Sequence, residues 1–408
     1  MRIFILLFLA LPLLSLGQQD SIIAGPFQGH VTNDFARYWV LLEDQSNRKG
    51  HLPKALNEYL RSEKERYGFK KHRIIKEESV KFGNQYTLKI SLEEPSKASQ
   101  PTSKDIRFLV GSCYYPHKDK LAAKRNVIFE SMEEKAADFM IWMGDNTYYQ
   151  GEEWDSDQAM FEKWRASRTV PSVNSFLQST QQYGIWDDHD YGPNDAHGDF
   201  ERKANSLKLY KAMWPNPSFG NAQAEGVFTK FTKGDAEFFL LDGRYNSIGG
   251  EQMFGPEQIN WLQEGLKDSK ANFKFIITGT QLLPNNTFGE DWLTCPDERN
   301  AFLDFLESTK ISGVILFSGD RHYTELNKMS RPDTYPLYEF SCSPLTSYLY
   351  LAKKINSKVL QKKTFVRTHN FGEIQLTGKQ ADRKCIITTY NRDGEKIWVQ
   401  TIRLKDLK

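Results

Sequence analysis

The sequence predicts a layered α/β domain preceded by a small all-β region. From residue 106 onward, apolar segments typical of buried strands alternate with amphipathic segments typical of helices. This alternation favours a sheet that is covered by helices. Residues 21–104 lack the alternation and show strand-like segments with a period of two. Several of the later strand-like segments end in Asp, His, Cys or Tyr, which places candidate functional residues at one edge of the predicted sheet.

Composition narrows the functional classes. The chain has 408 residues, of which 39% are hydrophobic, and this suits one large domain or two smaller ones. The net charge is +2, from 54 basic and 52 acidic side chains. This near balance gives no reason to expect a nucleic-acid-binding surface.

Residues 1–17 are predicted to be a signal peptide. Arg2 follows the initial methionine, residues 3–16 are almost wholly apolar, and this stretch is short for a membrane span. An uncleaved N-terminal anchor is the alternative. No later stretch is long and apolar enough to span a bilayer, so we expect an exported protein, periplasmic or extracellular, with no integral membrane segment after signal cleavage.

Residues 21–104 are predicted to form an N-terminal β domain. Residues 38–42 predict a strand, and residues 86–92 alternate between apolar and polar side chains. Residues 52–67, between these strands, are helix-like and strongly charged. The polar residues 95–104, with prolines and serines, predict a linker.

Residues 105–408 are predicted to form the second domain. The predicted strands are 106–110, 139–143, 182–186, 238–241, 273–278 and 314–317. The predicted helices are 126–136, 200–213, 256–267 and 298–308. A C-terminal β segment follows, with strands 372–376, 384–390 and 396–404. The turn Asn391-Arg392-Asp393-Gly394 joins the last two strands as a hairpin.

Three candidate metal ligands follow the first two strands of this domain. Cys113 comes after Gly-Ser, and a thiolate is a good ligand for iron or zinc. Asp145 follows a glycine, and its two carboxylate oxygens could bridge two cations. Tyr148 could reach the same site as a phenolate. The alternatives are a packed or disulfide-bonded Cys113, a helix N-cap at Asp145 and a rim position for Tyr148.

The segment after the third strand is rich in carboxylates. Asp187, Asp188, Asp190 and Asp195 lie within nine residues and would repel one another without a counter-charge. A bound divalent or trivalent cation would supply that charge, and a solvated acidic loop is the alternative. His189 could be a metal ligand or a general acid.

Another acidic segment follows the strand at 314–317. Asp320 and His322 are two residues apart, so their side chains would project the same way if the backbone is extended. The alternative is one metal ligand and one structural residue. Asp242 and Arg244, after the strand at 238–241, are interpreted as a supporting salt bridge.

Two arginines are candidates for binding a phosphate. Arg165 and Arg168 lie between the second and third strands, and a guanidinium near a metal site would hold a phosphate through two parallel hydrogen bonds. Surface positions on an amphipathic helix are the alternative. The remaining cysteines, Cys295, Cys342 and Cys385, cannot all pair with one another, and Cys342 and Cys385 could either form a disulfide or simply pack.

Five motifs occur in order: Gly-Ser-Cys, Gly-Asp-x-x-Tyr, Trp-Asp-Asp-His-Asp, Leu-Asp-x-Arg and Ser-Gly-Asp-x-His. Together they resemble the alkaline phosphatase D (PhoD-like) family of metallophosphoesterases. The resemblance implies a four-layer α/β/β/α metallophosphoesterase sandwich with a small N-terminal β-sandwich domain. It also implies a centre of two or three metal ions.

The resemblance assigns roles to individual residues. Cys113, Asp145 and Tyr148 would hold an iron, and Asp145 would bridge to a second metal. Asp188 stands where the wider fold has the Asn of a Gly-Asn-His motif, and His189 stands where that motif has its general acid.

The last motif and one polar position complete the assignment. Asp320 and His322 occupy the positions of a Gly-His-x-His motif, and Asn194 matches a polar position near the phosphate. The wider fold has a His after its fifth strand, but residues 278–281 here are Thr-Gly-Thr-Gln. Calcium, which prefers oxygen ligands, therefore suits the second site better than zinc. We expect Fe³⁺ and Ca²⁺, with Zn²⁺ and Mn²⁺ as alternatives.

The expected function is an exported, metal-dependent phosphoester hydrolase, an alkaline phosphatase or phosphodiesterase with a metal-activated nucleophile. His189 would protonate the leaving group, and Arg165 and Asn194 would bind a substrate that is a small molecule, a lipid or a cell-wall polymer. One alternative is a non-catalytic exported protein that binds a phosphorylated ligand or polymer and has a structural metal site. Another is a thiol enzyme with Cys113 as its nucleophile.

Overall fold

The structure is a computed structural model. It describes residues 21–32, 35–44, 52–67, 73–93, 105–116, 120–284, 290–351, 357–379 and 382–408. The predicted signal peptide, residues 1–17, and the predicted linker, residues 95–104, lie outside the described residues. The domain boundary at residue 104 therefore stays a prediction.

The N-terminal region is one antiparallel sheet with a helix on one face. Its elements are β1 (Ser21–Val31), β2 (Phe35–Glu43), α1 (Lys54–Tyr67), β3 (Arg73–Phe82) and β4 (Gln85–Glu93), and the strand order is β1-β2-β4-β3.

The two faces of this sheet have different neighbours. Val40 and Leu42 of β2 pack with Leu56 and Leu60 of α1, while Trp39, on the other face of the sheet, packs with aromatic side chains of the second region. The described residues thus form a single sheet instead of the expected two-sheet sandwich, because helices of the second region cover the face that another sheet would cover.

The second region begins with strands and helices in alternation. Its elements are β5 (Ile106–Gly111), α2 (Lys120–Glu133), β6 (Phe139–Met143), α3 (Asp157–Arg168), α4 (Pro171–Ser179), β7 (Gln181–Ile185), α5 (Asp188–Tyr191), α6 (Lys203–Met213), β8 (Thr229–Lys233), β9 (Ala236–Leu240), α7 (Pro256–Asp268), β10 (Phe273–Ile277), α8 (Pro296–Thr309), β11 (Val314–Ser318), β12 (Glu325–Arg331), β13 (Thr334–Ser341), β14 (Asn370–Thr377), β15 (Lys384–Asn391) and β16 (Lys396–Arg403).

These strands form two six-stranded sheets. The first sheet has the order β16-β15-β14-β5-β6-β7, and the second has the order β12-β13-β11-β10-β9-β8. The strands β5, β6 and β7 are parallel to one another, as are β9, β10 and β11. All carboxyl ends within each parallel set therefore lie at one edge of the sheet.

The sheets pack face to face, and each has helices on its outer face. In β6, Phe139, Ile141 and Met143 belong to the core between the sheets, whereas Met140 and Trp142 face a second core beneath the helices α2, α3, α4 and α6. Leu262 of α7 and Phe302 of α8 pack on the other sheet. This confirms the four-layer α/β/β/α fold.

Two expectations about the whole chain can be compared with the structure. No helix within the described ranges is long and apolar enough to cross a membrane. All four cysteines are described, and all are buried and free. Cys342 and Cys385 thus pack in the core between the sheets and do not form a disulfide.

Candidate metal centre

The carboxyl ends of the two parallel strand sets meet at one edge of the sandwich. The loops after β5 and β6 are joined by backbone hydrogen bonds from Cys113 to Gly144 and from Tyr114 to Asp145. Loops from opposite sheets approach so closely that glycine is required. A Cβ at Gly319 would lie 2.4 Å from the Met143 carbonyl oxygen, and one at Gly279 would lie 2.4 Å from the carboxylate carbon of Asp187. The fold thus brings the predicted site loops together.

The first group of candidate ligands consists of Cys113, Asp145 and His322, with Tyr148 beside them. The ligand atoms of the first three residues all lie within 4.8 Å of one another. The Tyr148 hydroxyl donates to Asp145 Oδ2 at 2.9 Å and lies 3.4 Å from His322 Nε2. The Cys113 Sγ lies 3.5 Å from the same carboxylate oxygen. Thiol, phenol, imidazole and carboxylate therefore converge on one point.

The second group of candidate ligands consists of Asp145, Asp188 and His189. Their ligand atoms also lie within 4.8 Å of one another. Asp145 belongs to both groups. Its Oδ1 is buried and has no hydrogen-bond partner, although such atoms normally have one. A carboxylate that is shared between two ligand groups and has a free buried oxygen is suited to bridging two cations.

The backbone at this site is unusual. Eight described residues other than glycine have a positive φ, and four of them are the candidate ligands Cys113, Asp145, Asp320 and His322. Such conformations cost free energy, and they persist where the surrounding structure imposes them, often at functional sites. The clustering of these residues at one edge supports a site where side-chain placement is tightly constrained.

Electrostatics at the site favour a positive ligand. Burial, followed by repulsion from Asp188 and Asp187, raises the pKa of Asp145 well above its usual range. Burial and the adjacent Asp145 raise the pKa of the Cys113 thiol in the same way. The pKa of Tyr148 is also raised well above its usual value, by burial and then by Asp145. A cation between these groups would reverse the repulsion and favour their ionised forms.

A buried arginine supports the acidic loop after β7. The Arg244 guanidinium lies 2.6 Å from Asp187 Oδ1 and 2.6 Å from Glu290 Oε2, and it donates to Thr280 Oγ1 at 3.1 Å. Arg244 is thus a supporting residue, as expected, but its acidic partners are Asp187 and Glu290. Asp242 instead accepts hydrogen bonds from backbone N–H groups and from the Trp186 indole. Sequence reasoning missed Glu290, which lies far from the strand-end motifs.

Asp190 ties the acidic loop to the loop that carries Asp145. Its carboxylate accepts backbone N–H groups from Asn146 at 2.6 Å and Thr147 at 3.0 Å, and another from Asp187 at 3.1 Å. Burial raises the pKa of Asp190 to about 8, although these hydrogen bonds oppose the shift. Both oxygens are engaged with protein donors, so Asp190 positions the Asp145 loop.

The Asp320 and His322 pair does not have the extended geometry that was predicted. β11 ends at Ser318, and both residues have left-handed φ values, of 61° and 56°. The turn brings His322 to the first ligand group, while the Asp320 backbone carbonyl lies 3.6 Å from Cys113 Sγ. The Asp320 side chain is 27% exposed and lies 3.7 Å from Arg321.

The segment that follows α5 lies close to the second ligand group. The backbone N–H of Asp195 donates to Asp188 Oδ2 at 2.8 Å, and that of His189 donates to Asp188 Oδ1 at 2.9 Å. Asn194 is exposed and directly precedes Asp195. The His189 ring lies against Tyr148, with ring centroids 4.3 Å apart.

The two candidate phosphate-binding arginines lie on α3 in different surroundings. Arg165 is half-buried, and its Nε donates to Glu162 at 2.6 Å. Arg168 is buried against the rings of Trp214, Trp164 and Phe27. The interpretation of Arg168 as a phosphate-binding residue is wrong, because its guanidinium is enclosed by aromatic rings beneath the N-terminal sheet.

β10 is followed by Thr-Gly-Thr-Gln, so its end carries no histidine. The Gln281 amide instead donates to Glu325 Oε1 at 2.9 Å and to Ser341 Oγ at 2.7 Å. The Thr280 hydroxyl donates to Asp187 Oδ1 at 3.3 Å. This strand end thus supports the neighbouring acidic loop and the core.

A family model described as "PhoD-like phosphatase" matches residues 108–385. The fold is similar to a solved structure titled "Structure of PhoD", with a TM-score of 0.68 and 15% identity over 92% of this chain and 91% of that one. It is also similar to the purple acid phosphatase PPD1 from seeds of yellow lupin (Lupinus luteus), with a TM-score of 0.60 and 11% identity over 93% of this chain and 74% of that one. No curated protein sequence gives a significant match.

Proposed function

This chain belongs to the PhoD-like phosphatase family, and from that premise we propose that it is an exported hydrolase that depends on metal ions to cleave phosphoesters. One observation carries the proposal. Asp145 belongs to both groups of candidate ligands, and one of its oxygens is buried without a partner. This arrangement suits a carboxylate that bridges two cations.

The two groups of candidate ligands differ in chemistry, which suggests two kinds of ion. Cys113, Tyr148 and His322 would join Asp145 at the first ion, and thiolate and phenolate ligands suit Fe³⁺. Asp188 would join Asp145 at the second ion, with Asp320 nearby, and carboxylate oxygens suit Ca²⁺. Zn²⁺ and Mn²⁺ are the alternatives. Cations bound here would neutralise the phosphoryl oxygens and supply an activated nucleophile.

The protein side chains have separate roles in the proposed reaction. His189 donates a proton to the leaving alkoxide, and its imidazole packs against the Tyr148 ring. Because His189 also lies with Asp145 and Asp188, its other possible role is that of a ligand. Metal analysis of His189→Ala separates the roles: a general acid can be removed without loss of metal, and a ligand cannot.

Arg165 and Asn194 are the proposed substrate-binding residues. Asn194 directly precedes Asp195, whose backbone donates to Asp188, so it lies beside the second group of candidate ligands. Arg165 would have to exchange Glu162 for a phosphate oxygen. Arg165→Gln should raise KM for phosphoesters if that exchange takes place, and an unchanged KM would remove Arg165 from the site.

The Cys113 environment argues against the thiol-nucleophile alternative. Cys113 is fully buried, and burial and Asp145 keep its pKa high. A free thiolate, which is the nucleophilic form, is therefore disfavoured unless a cation is bound to it.

The test is hydrolysis of chromogenic phosphodiesters and phosphomonoesters before and after chelation. We expect turnover that is lost on chelation and restored by added metal, and the ratio of the two substrates gives the diester preference. Stoichiometric metal without turnover of any phosphoester would favour the non-catalytic binding protein. Full turnover in the chelated protein would contradict the proposal.

A further inference from the structure

A cavity lined by several basic side chains lies beside the candidate metal centre. It has a volume of about 460 Å³. Its lining includes Lys124, Arg125, Leu349, His369, Arg392 and Asp393. None of these residues belongs to the proposed metal or catalytic set.

Two cavity residues contact a segment that is hydrogen-bonded to the backbone of Cys113. The backbone N–H groups of Thr346 and Ser347 donate to the Cys113 carbonyl, at 3.3 and 3.1 Å. The carbonyls of the same two residues face the cavity residues. Arg125 donates to Thr346 O at 3.1 Å, and His369 Nε2 lies 2.9 Å from Ser347 O.

These contacts place the cavity close to the candidate metal centre. Leu349 lines the cavity two residues beyond Ser347, so its Cα lies within about 8 Å of the Ser347 Cα, because consecutive Cα atoms are about 3.8 Å apart. Tyr348, between them, is 59% exposed, and its ring contacts Tyr115, which in turn contacts Tyr148. A series of ring contacts thus links Tyr148 at the metal centre to Tyr348, the residue that precedes Leu349.

The charge of the cavity favours an anion. Lys124, Arg125 and Arg392 carry three positive charges, and Asp393 carries one negative charge. The Asp393 carboxylate lies 3.5 Å from Arg392 Nε, but both side chains are about half exposed, so this ion pair is weak. Exposed pairs of this kind contribute little and exchange readily for a better ligand. A phosphate would accept stronger charge-assisted hydrogen bonds from the same arginine.

We propose that this cavity binds a second phosphate group of the substrate, so that the substrate is a phosphoester with another phosphate beyond the one that is cleaved. The inference rests on the proposed function, because it places the scissile phosphate at the metal centre. Leu349, which is 37% exposed, supplies an apolar wall for the carbon chain that joins the two phosphates.

The test compares three p-nitrophenyl diesters. The first has a simple alkyl alcohol, the second has the same alcohol with a terminal phosphate, and the third has it extended as a short phosphodiester oligomer. The wild-type protein should favour the second or third diester over the first by about ten-fold or more in KM, because hydrogen bonds to charged groups are the strong ones. A lower KM for the second diester than for the third indicates that the cavity binds a terminal phosphate. The reverse order indicates that it binds an internal phosphodiester of a polymer.

The decisive variant is Lys124→Gln/Arg392→Gln. It should lose the preference, while kcat/KM for the simple diester stays at the wild-type value. Both side chains are at the surface, so the substitutions should not disturb folding. The matched control, Lys208→Gln/Arg403→Gln, removes two exposed positive charges elsewhere and should keep the preference.

An equilibrium measurement separates failure of the cavity from failure of the hydrolase. The metal-loaded protein is titrated with an alkyl monophosphonate and with the matching bisphosphonate. The proposal is supported, even without turnover, if the wild-type protein binds the bisphosphonate more tightly than the monophosphonate and Lys124→Gln/Arg392→Gln loses this difference. Equal affinity of the wild-type protein for the two phosphonates, or a preference for the bisphosphonate that the variant retains, would overturn the proposed phosphate site even if the simple diester is hydrolysed.

Discussion

Replacement of Arg244 by methionine should destabilise the protein strongly, because it would leave two acidic groups buried without a counter-charge. The side chains of Arg244 and Asp187 are 1% and 2% exposed, and that of Glu290 is 13% exposed. Removal of one partner from a buried ion pair costs about 3–5 kcal/mol, since the remaining charge cannot regain its hydration. Methionine preserves most of the packing volume, so the charge dominates the effect.

The expected change can be measured as a shift in melting temperature. Unfolding entropy is about 2 cal/mol/K per residue, so for a chain of this length the loss corresponds to a fall of about 4–6 °C. The deficit should grow between pH 5 and pH 8. Burial raises the pKa of both Asp187 and Glu290, and Arg244 opposes that rise. Without Arg244 the pKa of both carboxyls rises further, so the folded variant holds protons that the unfolded chain has released, and it loses more stability than the wild-type protein as pH rises.

Two further variants make the Arg244 prediction specific. Arg244→Met/Asp187→Asn should recover part of the lost stability, because one buried charge is then neutral. Arg73→Met breaks an exposed pair with Glu93 and should change stability by less than about 0.5 kcal/mol. If Arg244→Met melts at the wild-type temperature, or if the double variant is less stable than the single one, the reasoning about this ion pair is refuted.

Three other changes test separate parts of the site. Gly279→Ala should destabilise the protein by about 1–3 kcal/mol, because the added Cβ would lie 2.4 Å from the Asp187 carboxylate carbon; denaturant unfolding measures this, and an unchanged midpoint would contradict the close approach. His189→Ala should keep its metal and slow esters with poor leaving groups by about 100-fold or more; wild-type turnover of an alkyl phosphoester would exclude the acid role. Cys113→Ala should lower iron affinity by at least about ten-fold, as measured by elemental analysis after dialysis, and full retention of iron would remove Cys113 from the ligand set.

Much of the α/β fold could be predicted from local pattern. The predicted strand 139–143 agrees with β6 at both ends, and the strands before and after it differ by a residue at one or both ends. β6 is buried on both faces, so every one of its side chains is apolar and the signal is continuous. The predicted helix 256–267 agrees with α7 to within one residue, because Pro256 fixes its start.

Features set by tertiary contacts were harder to predict. The strands predicted at residues 38–42 and 86–92 lie within β2 and β4, but β1 and β3 were not predicted individually. No local signal shows that helices of another region cover one face of the sheet. The position of Arg168 illustrates the cause: its charge suggests a phosphate, and only the assembled fold shows the rings around it. The left-handed backbone at Asp320 and His322 could not be predicted either, because neither residue type requires that conformation.

The candidate metal centre was predictable in outline because strand ends in parallel sheets converge. The pattern identified Cys113, Asp145 and His322, whose ligand atoms the structure brings within 4.8 Å. It could not identify Glu290, which has no strand-end motif and meets Arg244 only through tertiary folding. The separate roles of neighbouring carboxylates could not be predicted from the sequence either. Asp190 accepts backbone hydrogen bonds, whereas Asp188 lies with the candidate ligands.

The most direct test of the account is metal content by elemental analysis of the wild-type protein and of Asp145→Asn, purified and dialysed in parallel. The account predicts at least two bound ions in the wild-type protein, including iron, and loss of both classes of ion together in the variant, because one carboxylate serves both groups of candidate ligands. A melting curve shows whether the variant is folded. A well-folded wild-type protein with no stoichiometric metal, or an Asp145→Asn variant that keeps both ions, would contradict the shared carboxylate at the centre of the proposal.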